Sequence, residues 1–509
     1  MSFSKIEFEL KLVGPPSDVE AVRELDFVRR ALRGDGEWAQ LRSTYYDSAE
    51  RRLAKRGLSL RIREEAGVSL LTAKIEDAGQ GAVKRREYER AIDPGALNFT
   101  TGFREFDEII GPATDDIAPF ARTETNRWSG IASELGSVFE MSSEIGFSER
   151  FAPERRAAPI AEVEIELLKG PPDALFDWAR RLIGASGGRL RLSVEAKLDR
   201  ALRAGASPRF GKAPRGAISP TACAADIFSA ALPPIAMRVI EASAQVAAAH
   251  DREAARQLRV ALRRLRSLVR LFEKDLGDDR MARLADEAKS YARLVGVARD
   301  LENFSARNLR KAGAPPELVA RAESRSAAAW SRAARALDDE NFGLFSVNLL
   351  EAAMTENWRA ESAAVLSGPA RPYTDKKLEK RKRKLETVAR RADFADPASL
   401  HAVRIALKKL RYAAQFFRGL YDRDASAPFF SAMAALQDVL GDINDAASAQ
   451  EIANDIAEGL GPQSAKAAGF IAGYRCAEAS LRAENAKEAW ETFAALSPFW
   501  KSAPETPAP

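Results

Sequence analysis

Short runs of alternating charged and apolar residues fill much of the first two hundred positions. Residues 6–12 alternate Ile, Phe and Leu with charged side chains, and residues 162–167 alternate Glu with Val, Ile and Leu. Because residues two apart on a β-strand share a face, each run predicts a strand with one charged and one apolar face. The charged positions are Glu7, Glu9 and Lys11 in the first run and Glu162, Glu164 and Glu166 in the second.

Other runs of the same half carry positive charge on the polar face. The residues that share a face in these runs are Arg61 and Arg63, Thr72 and Lys74, and Arg85 and Glu87. A single strand of this kind is ordinary in an antiparallel sheet that exposes one side to water. A set of strands whose polar faces carry both signs instead favours a closed barrel with a polar bore. Such a bore would hold a hard divalent cation and a polyanion together.

The strand pattern runs to about residue 200, and after residue 219 helical periodicity rich in Ala, Leu and Arg continues to about residue 490. This half contains an internal repeat, in which residues 256–266 match residues 401–411 at an offset of 145. The same offset relates Asp300 to Asp445 further along the chain. We interpret the repeat as two copies of one helical unit, packed about a pseudo-twofold axis.

The two patterns together predict an α+β protein. We expect an N-terminal antiparallel β-barrel with flanking helices, followed by an all-α domain of two repeats. The segment after residue 204 is small, basic and rich in Pro and Gly, which is typical of a linker. The predicted boundaries are a barrel domain at 1–204, a linker at 205–219, a helical domain at 220–498 and a disordered tail at 499–509.

Basic residues recur every three or four positions in each copy of the repeat, so they form one stripe along a helix. Solvated helix faces usually mix both signs of charge, whereas no acidic residue lies between Arg256 and Arg270. Arginine presents a planar fork of donors that suits phosphate oxygens, so the stripes predict an anion-binding surface. We assign to this surface Arg256, Arg259, Arg263, Arg264, Arg266 and Arg270 in the first copy and His401, Arg404, Lys408, Lys409 and Arg411 in the second.

The amino-acid composition indicates which kind of partner and which cellular compartment to expect. The 509 residues are 46% hydrophobic and 30% charged, with a net charge of +5, as in a globular protein with a polyanionic partner. Cys223 and Cys476 lie too far apart in sequence to indicate a zinc site or a disulfide framework. Neither a leader segment nor a membrane span is predicted, so we expect a cytoplasmic protein that does not bind membranes. Aromatic residues that could stack on bases are scarce along the stripes, which disfavours nucleic acid as the partner.

The motifs of the first half resemble those of a CYTH domain, the family of triphosphate tunnel metalloenzymes. The resemblance rests on Glu-x-Glu-x-Lys at 7–11, Tyr-Tyr-Asp at 45–47, Leu-Arg-Ile-Arg at 60–63, Thr-Ala-Lys at 72–74, Arg-Arg-Glu-Tyr-Glu at 85–89, the glutamates at 162–166, and Lys197 with Arg200. One departure is Glu144-Ile-Gly, where the family usually places Asp before Gly. The basic repeat of the second half resembles a CHAD domain, although Arg256 stands in the first copy where the second copy has His401.

The resemblance implies a metal-dependent triphosphatase that hydrolyses tripolyphosphate or short polyphosphate, joined to a domain that binds inorganic polyphosphate. It assigns a Mg²⁺ or Mn²⁺ ion to Glu7, Glu9, Glu162 and Glu164. It assigns catalytic roles to Lys11, Arg85 and Glu87, and substrate contacts to Arg61, Arg63, Lys74, Arg122, Arg127, Lys197 and Arg200. Polyphosphate granules would be one place in the cytoplasm where the protein collects.

Three alternatives stay open at this point. The same kind of tunnel is found in adenylate cyclases and in thiamine triphosphatases. A tunnel without activity would leave the protein as a polyphosphate-binding scaffold.

Overall fold

The computed structural model describes most of the 509 residues. The described ranges are 3–65, 67–76, 83–93, 99–111, 116–151, 154–203, 218–219, 221–309 and 313–501. The predicted linker at 205–219 therefore lies outside the described residues except for its last two positions. The chain forms two compact units, one of residues 1–215, 233–258 and 335–356, the other of residues 216–232, 259–334 and 357–509.

Eight antiparallel strands of the first unit close into a barrel. Their order is β5-β4-β3-β2-β6-β7-β8-β1, and β1 pairs back with β5, while a short ninth strand, β9, also pairs with β1. The strands are β1 Phe3–Val13, β2 Glu37–Asp47, β3 Leu58–Glu65, β4 Val68–Glu76, β5 Lys84–Ile92, β6 Ala118–Glu134, β7 Ser137–Arg150, β8 Arg156–Lys169 and β9 Arg191–Ser193. The closed barrel confirms the predicted fold of the N-terminal half.

The apolar faces of the strands point outward from the barrel and are covered by helices. The helices around it are α1 Pro16–Ala21, α2 Asp26–Ala31, α3 Arg52–Lys55, α4 Arg104–Ile110, α5 Asp173–Ala185 and α6 Lys197–Arg203. The rings of Phe139 on β7 and Trp178 on α5 meet edge to face with centroids 4.7 Å apart. On the other side, Leu60, Leu71 and Phe106 belong to one buried cluster beneath α4. Successive residues of a strand point to opposite faces. Because the apolar residues point outward, the charged residues between them face the bore.

The remaining helices are long, as the periodicity predicts. They are α7 Ala224–Ala249, α8 Arg252–Leu276, α9 Asp279–Phe304, α10 Pro316–Leu337, α11 Glu340–Thr355, α12 Ala370–Arg391, α13 Pro397–Phe417, α14 Arg423–Ala457 and α15 Pro462–Ala494. The two matching sequence copies are the pairs α8–α9 and α13–α14. The all-α prediction for this half is confirmed.

Parts of the helical half of the sequence belong to the first unit, namely most of α7, the start of α8, and α11. There α11 packs on α5, where Arg180 Nε donates a hydrogen bond of 2.9 Å to Asn348 Oδ1 and the same guanidinium pairs with Glu351. The barrel unit is therefore larger than its continuous sequence segment.

Two details differ from the sequence-based expectations. Phe499–Lys501, which the prediction placed in the disordered tail, form a 3₁₀ turn in which Phe499 and Trp500 are buried. Residues 502–509 lie outside the described residues. In addition, α7 has the length and apolar composition of a membrane span, although 56% of its most apolar window is buried within the protein, as in many core helices.

Candidate active site and anion-binding surface

The bore of the barrel contains a cavity of about 500 Å³ lined mainly by charged side chains. Its acidic lining residues are Glu7, Glu9, Asp47, Glu87, Glu89, Glu140, Glu144, Glu164, Glu166 and Asp199. Its basic lining residues are Lys11, Arg51, Arg61, Arg63, Lys74, Arg85, Arg127 and Lys197. Carboxylates from both ends of the first two hundred residues therefore meet arginines and lysines in one cavity.

One ion-pair network joins β1, β4 and β5 inside the bore. The register sets Glu7 opposite Arg85 and Lys74 opposite Glu87. Lys74 Nζ lies 2.7 Å from Glu7 Oε1 and 3.0 Å from Glu87 Oε1, and Arg85 Nη2 lies 3.1 Å from Glu7 and 3.2 Å from Glu9. Burial alone would raise the pKa of Glu7, but Lys74 and Arg85 outweigh burial and lower it.

A second network joins β1, β7 and β8 to α6. Lys197 Nζ lies 2.8 Å from Glu144 Oε1 and 3.1 Å from Glu164 Oε2, while Lys11 Nζ lies 3.1 Å from Glu164 Oε1. Both lysine nitrogens lie 3.3 Å from Glu162 Oε1, an oxygen that makes no hydrogen bond of good geometry to any described residue. Burial would lower the pKa of Lys197, yet the three glutamates raise it, so the lysine stays charged.

Arg61 differs from the other tunnel cations because no carboxylate of the described residues lies within ion-pair distance of it. Its Nε is buried and makes no hydrogen bond within the described part of the chain. Burial would lower the pKa of Arg61, but Tyr45, Glu87 and Glu89 together raise it. The guanidinium is thus a charged donor group of the cavity with hydrogen-bonding capacity left for an anion.

The second unit carries a separate cluster of cations where α8 and α13 come together. Arg259, Arg263, Arg404 and Lys408 are close enough that the three arginines repel the lysine charge. Burial and this repulsion lower the pKa of Lys408 to about 7. We call these four residues the cationic cluster. Because each copy of the repeat supplies two of them, the duplication brings equivalent positions face to face.

The acids near the cluster come from the second helix of each copy. Arg259 Nη1 lies 2.8 Å from Asp300 Oδ1. Arg404 Nη1 donates a hydrogen bond of 3.1 Å to Asn444 Oδ1, and Asn444 is followed by Asp445, whose charge also acts on Arg404. His401 Nδ1 lies 3.0 Å from the same Asn444 oxygen. Within the described chain, Arg263 and Lys408 have no carboxylate within ion-pair distance, so the cluster has more cations than paired acids.

Comparison with known families decides what the two halves are. The CYTH domain family matches residues 5–201, and the CHAD domain family matches residues 236–454. The chain carries a CYTH domain followed by a CHAD domain. Members of the CYTH family are triphosphatases or cyclases, and its tunnel enzymes generally use divalent metals.

Solved structures similar to this chain each cover a part of it. The CHAD domain from the plant Ricinus communis is 28% identical over 57% of this chain and 98% of that chain, with a TM-score of 0.48. PptA from Streptomyces chartreusis is 19% identical over 53% and 99%, with a TM-score of 0.41. A putative adenylyl cyclase from Hippeastrum with a dominant triphosphatase activity is 17% identical over 41% and 98%, with a TM-score of 0.28.

The CYTH tunnel holds most of the residues predicted to act there. Eleven of them line the cavity: Glu7, Glu9, Lys11, Arg61, Arg63, Lys74, Arg85, Glu87, Arg127, Glu164 and Lys197. Glu162 and Arg200 are not on its wall; they pair with each other, with Glu162 fully buried. The placement predicted for Arg122 was wrong, because this residue pairs with Glu149 and Glu124 away from the cavity.

Six acidic residues of the described lining were not assigned to the site from the sequence: Asp47, Glu89, Glu140, Glu144, Glu166 and Asp199. Glu89 follows Glu87 by two positions, so the strand period itself was a signal for it. Glu140 and Glu144 lie on β7, whose register the sequence did not fix; Glu144 replaces the expected family Asp and is 1% exposed.

Predicted CHAD residues outside the cationic cluster have varied surroundings. Arg256 pairs with Glu253, and Arg270 pairs with Glu273 and Asp286. Arg264 lies 5.0 Å from the centroid of the Phe416 ring. Arg266 and Lys409 are exposed, and Arg411 is half-buried. The acid-free sequence of the stripe did not show that acids from neighbouring segments pair with part of it.

A divalent cation fits the tunnel by charge and donor chemistry. In the described ranges, no three Asp, Glu, His or Cys side chains converge closely enough to form a ready metal site. Glu9, however, is buried beside Glu164 and Glu7, and burial together with these two charges raises its pKa. Buried carboxylate oxygens that repel one another match the ligand preference of Mg²⁺ or Mn²⁺.

Proposed function

We propose that the CYTH domain is a divalent-metal-dependent inorganic triphosphatase acting on tripolyphosphate or short polyphosphate, and that the CHAD domain binds inorganic polyphosphate. The observation that supports the first part most is one cavity in which eight cations and ten carboxylates of the described residues meet. Neither a histidine nor a cysteine is among its described lining residues, so phosphoryl chemistry by positioning and charge suits it better than nucleophilic catalysis.

The cations of the tunnel would bind the phosphate chain by exchanging partners. Lys74 and Arg85 now pair with Glu7, and Lys11 and Lys197 pair with Glu164. Phosphate oxygens can replace these carboxylates as acceptors, because charge-assisted hydrogen bonds to phosphate are of similar strength. Arg61 needs no such exchange.

Glu7, Glu9 and Glu164 are the residues that would hold a Mg²⁺ or Mn²⁺ ion. Such an ion, when bound, supplies Lewis-acid charge to phosphate oxygens. Glu87 would then orient the attacking water, since its carboxylate lines the cavity and Lys74 Nζ fixes one of its oxygens at 3.0 Å. The chain itself thus contributes position, charge neutralisation and a proton acceptor.

The CHAD proposal rests on the cationic cluster. Its four side chains repel one another, and a polyanion would relieve that repulsion. Binding should weaken steeply as salt rises, because phosphate contacts release counterions.

A screen over tripolyphosphate, ATP and thiamine triphosphate, each with Mg²⁺ or Mn²⁺, that measures released phosphate, pyrophosphate and cyclic AMP tests the enzyme proposal on the full chain. We expect tripolyphosphate to be turned over fastest. Cyclic AMP from ATP would favour a cyclase, faster thiamine triphosphate hydrolysis a thiamine triphosphatase, and no turnover at all a scaffold.

Glu9→Gln is the matching variant. It removes one charge from the proposed metal ligands without changing side-chain size, and we expect activity to fall about 100-fold. The control is Glu149→Gln, because Glu149 pairs with Arg122 and Arg155 outside the cavity. Equal activity of Glu9→Gln and the parent would refute the proposed role.

A further inference from the structure

Arg51 has a backbone conformation that L-residues avoid. Its φ of 59° and ψ of 47° place it in the left-handed region, immediately before α3. Asp47 holds this turn, because its carboxylate accepts hydrogen bonds of 2.8 Å, 2.8 Å and 3.1 Å from the backbone N–H groups of Ser48, Leu53 and Ala54. Glycine or asparagine would occupy this conformation at lower cost, so an arginine here calls for an explanation in its side chain.

The side chain of Arg51 lines the tunnel cavity and lies over an aromatic ring. Its Cζ is 3.7 Å from the centroid of Phe120, and its Nε is 3.5 Å from Asp47 Oδ2. Its Nη1 is buried and has no hydrogen-bond partner among the residues that the structure describes. The nearby acids are Asp47, already occupied by backbone donors, and Asp199. The guanidinium therefore has a donor available to an anion in the cavity.

Arg51 and Arg61 each contact one aromatic residue of the same small cluster in the cavity wall. Arg61 interacts with Tyr45, and Tyr45 belongs to the same small cluster as Phe120 and Leu198. Arg51 lies over the ring of Phe120. Phe120 is also the aromatic wall residue best suited to stack on a base, because Tyr45 is buried and Tyr46 packs on Phe99.

We propose that Arg51 is a specificity residue of the tunnel, which adds an anion contact beyond Arg61 and at the same time covers the Phe120 ring against a nucleobase. The residue thereby favours inorganic polyphosphate over a nucleoside triphosphate. This inference rests on the proposed triphosphatase function and adds to it the choice between two substrate classes.

Arg51→Gly in the full-length chain tests the proposal, since glycine accepts the local φ and the variant should fold. We expect kcat/KM for tripolyphosphate to fall about tenfold and the ratio of ATP to tripolyphosphate turnover to rise by at least that factor, as for loss of one charge-assisted contact. Arg51→Lys retains the charge and should keep most of the tripolyphosphate activity.

The matched control is Leu135→Gly. Leu135 has a φ of 50° in the β6–β7 turn and is 64% exposed, so this change relieves the same kind of strain away from the cavity. It should leave the substrate ratio unchanged.

The outcomes separate the two proposals. If the parent hydrolyses tripolyphosphate and Arg51→Gly keeps the parent ratio, the role of Arg51 is refuted while the triphosphatase stands. If the parent hydrolyses neither substrate, the triphosphatase is refuted, and calorimetric binding of tripolyphosphate and ATP to the same variants decides Arg51. In that case an unchanged ratio of dissociation constants overturns its role, and a tenfold shift toward ATP supports it.

Discussion

Polyphosphate binding by the CHAD domain should depend on pH through Lys408. In the free protein the pKa of this lysine is about 7, because burial and the charges of Arg263, Arg404 and Arg259 oppose protonation. A bound polyanion neutralises those charges, so the pKa of Lys408 should return toward its ordinary value of 10.5. Binding therefore takes up a proton whenever the free lysine is deprotonated.

The sign and size of the effect follow from linkage. Below pH 7 the lysine is protonated in both states, and affinity should not change with pH through this group. Between pH 7 and pH 9 the free lysine loses its proton while the bound one keeps it, so the dissociation constant should rise by up to about 100-fold. At pH 8 each binding event should take up about 0.9 proton.

Titration calorimetry in buffers of different ionisation enthalpy measures this proton uptake directly, with long-chain polyphosphate as ligand. Lys408→Met should abolish the uptake, whereas Lys409→Met, at the exposed neighbouring position, should weaken binding and leave the uptake intact. Equal proton uptake by the parent and Lys408→Met would show that another group titrates and that Lys408 does not cause the pH dependence.

Two further predictions test placement and domain limits. Arg127→Ala should lower triphosphatase kcat/KM at least about tenfold in steady-state assays. Arg122→Ala, on the same strand but outside the cavity, should change kcat/KM less than about twofold. Similar losses in both variants would contradict the assignment of Arg127, and not Arg122, to the cavity wall. A chain ending at residue 215 lacks α11, so the face of α5 that α11 covers would be exposed, and the fragment should aggregate or bind a hydrophobic dye. The full chain should elute as a sharp peak in gel filtration. A fragment that is monomeric and does not bind the dye would contradict the packing of α11 on α5.

The sequence was sufficient to predict which residues share a face of a strand, but not how neighbouring strands pair in register. A two-residue period assigns Glu7, Glu9 and Lys11 to one face whatever the pairing, and the structure places all three in the bore. Arg122 and Arg127 are five positions apart on β6, so a regular strand cannot direct both into the cavity. Only the pairing of β6 with its neighbours shows which one enters.

Long-range contacts explain what else sequence reasoning did not reach. The carboxylate of Glu162 is taken up by Lys11, Lys197 and Arg200, two of which are supplied by α6 after the barrel is complete. Likewise, α11 lies more than a hundred residues beyond the barrel strands and still packs on α5. The strained φ of Arg51 follows from the turn held by Asp47, and no composition or period signals it.

The charge balance of the tunnel leads to the last prediction. Its described lining has more carboxylates than cations, so an anion entering the metal-free cavity meets an excess of negative charge. The excess centres on Glu9, where burial and the charges of Glu164 and Glu7 raise the pKa. A divalent cation there and tripolyphosphate among the arginines would each improve binding of the other by the same factor, because coupling free energies are reciprocal. We expect Glu87→Gln to be too slow to consume the ligand during a titration. Calorimetry on this variant should show tripolyphosphate binding at least about tenfold more tightly with Mg²⁺ than with EDTA, after correction for the Mg²⁺–tripolyphosphate complex in solution. Equal affinity in both would mean that the tunnel cations alone suffice and that its carboxylates serve only to hold them in place.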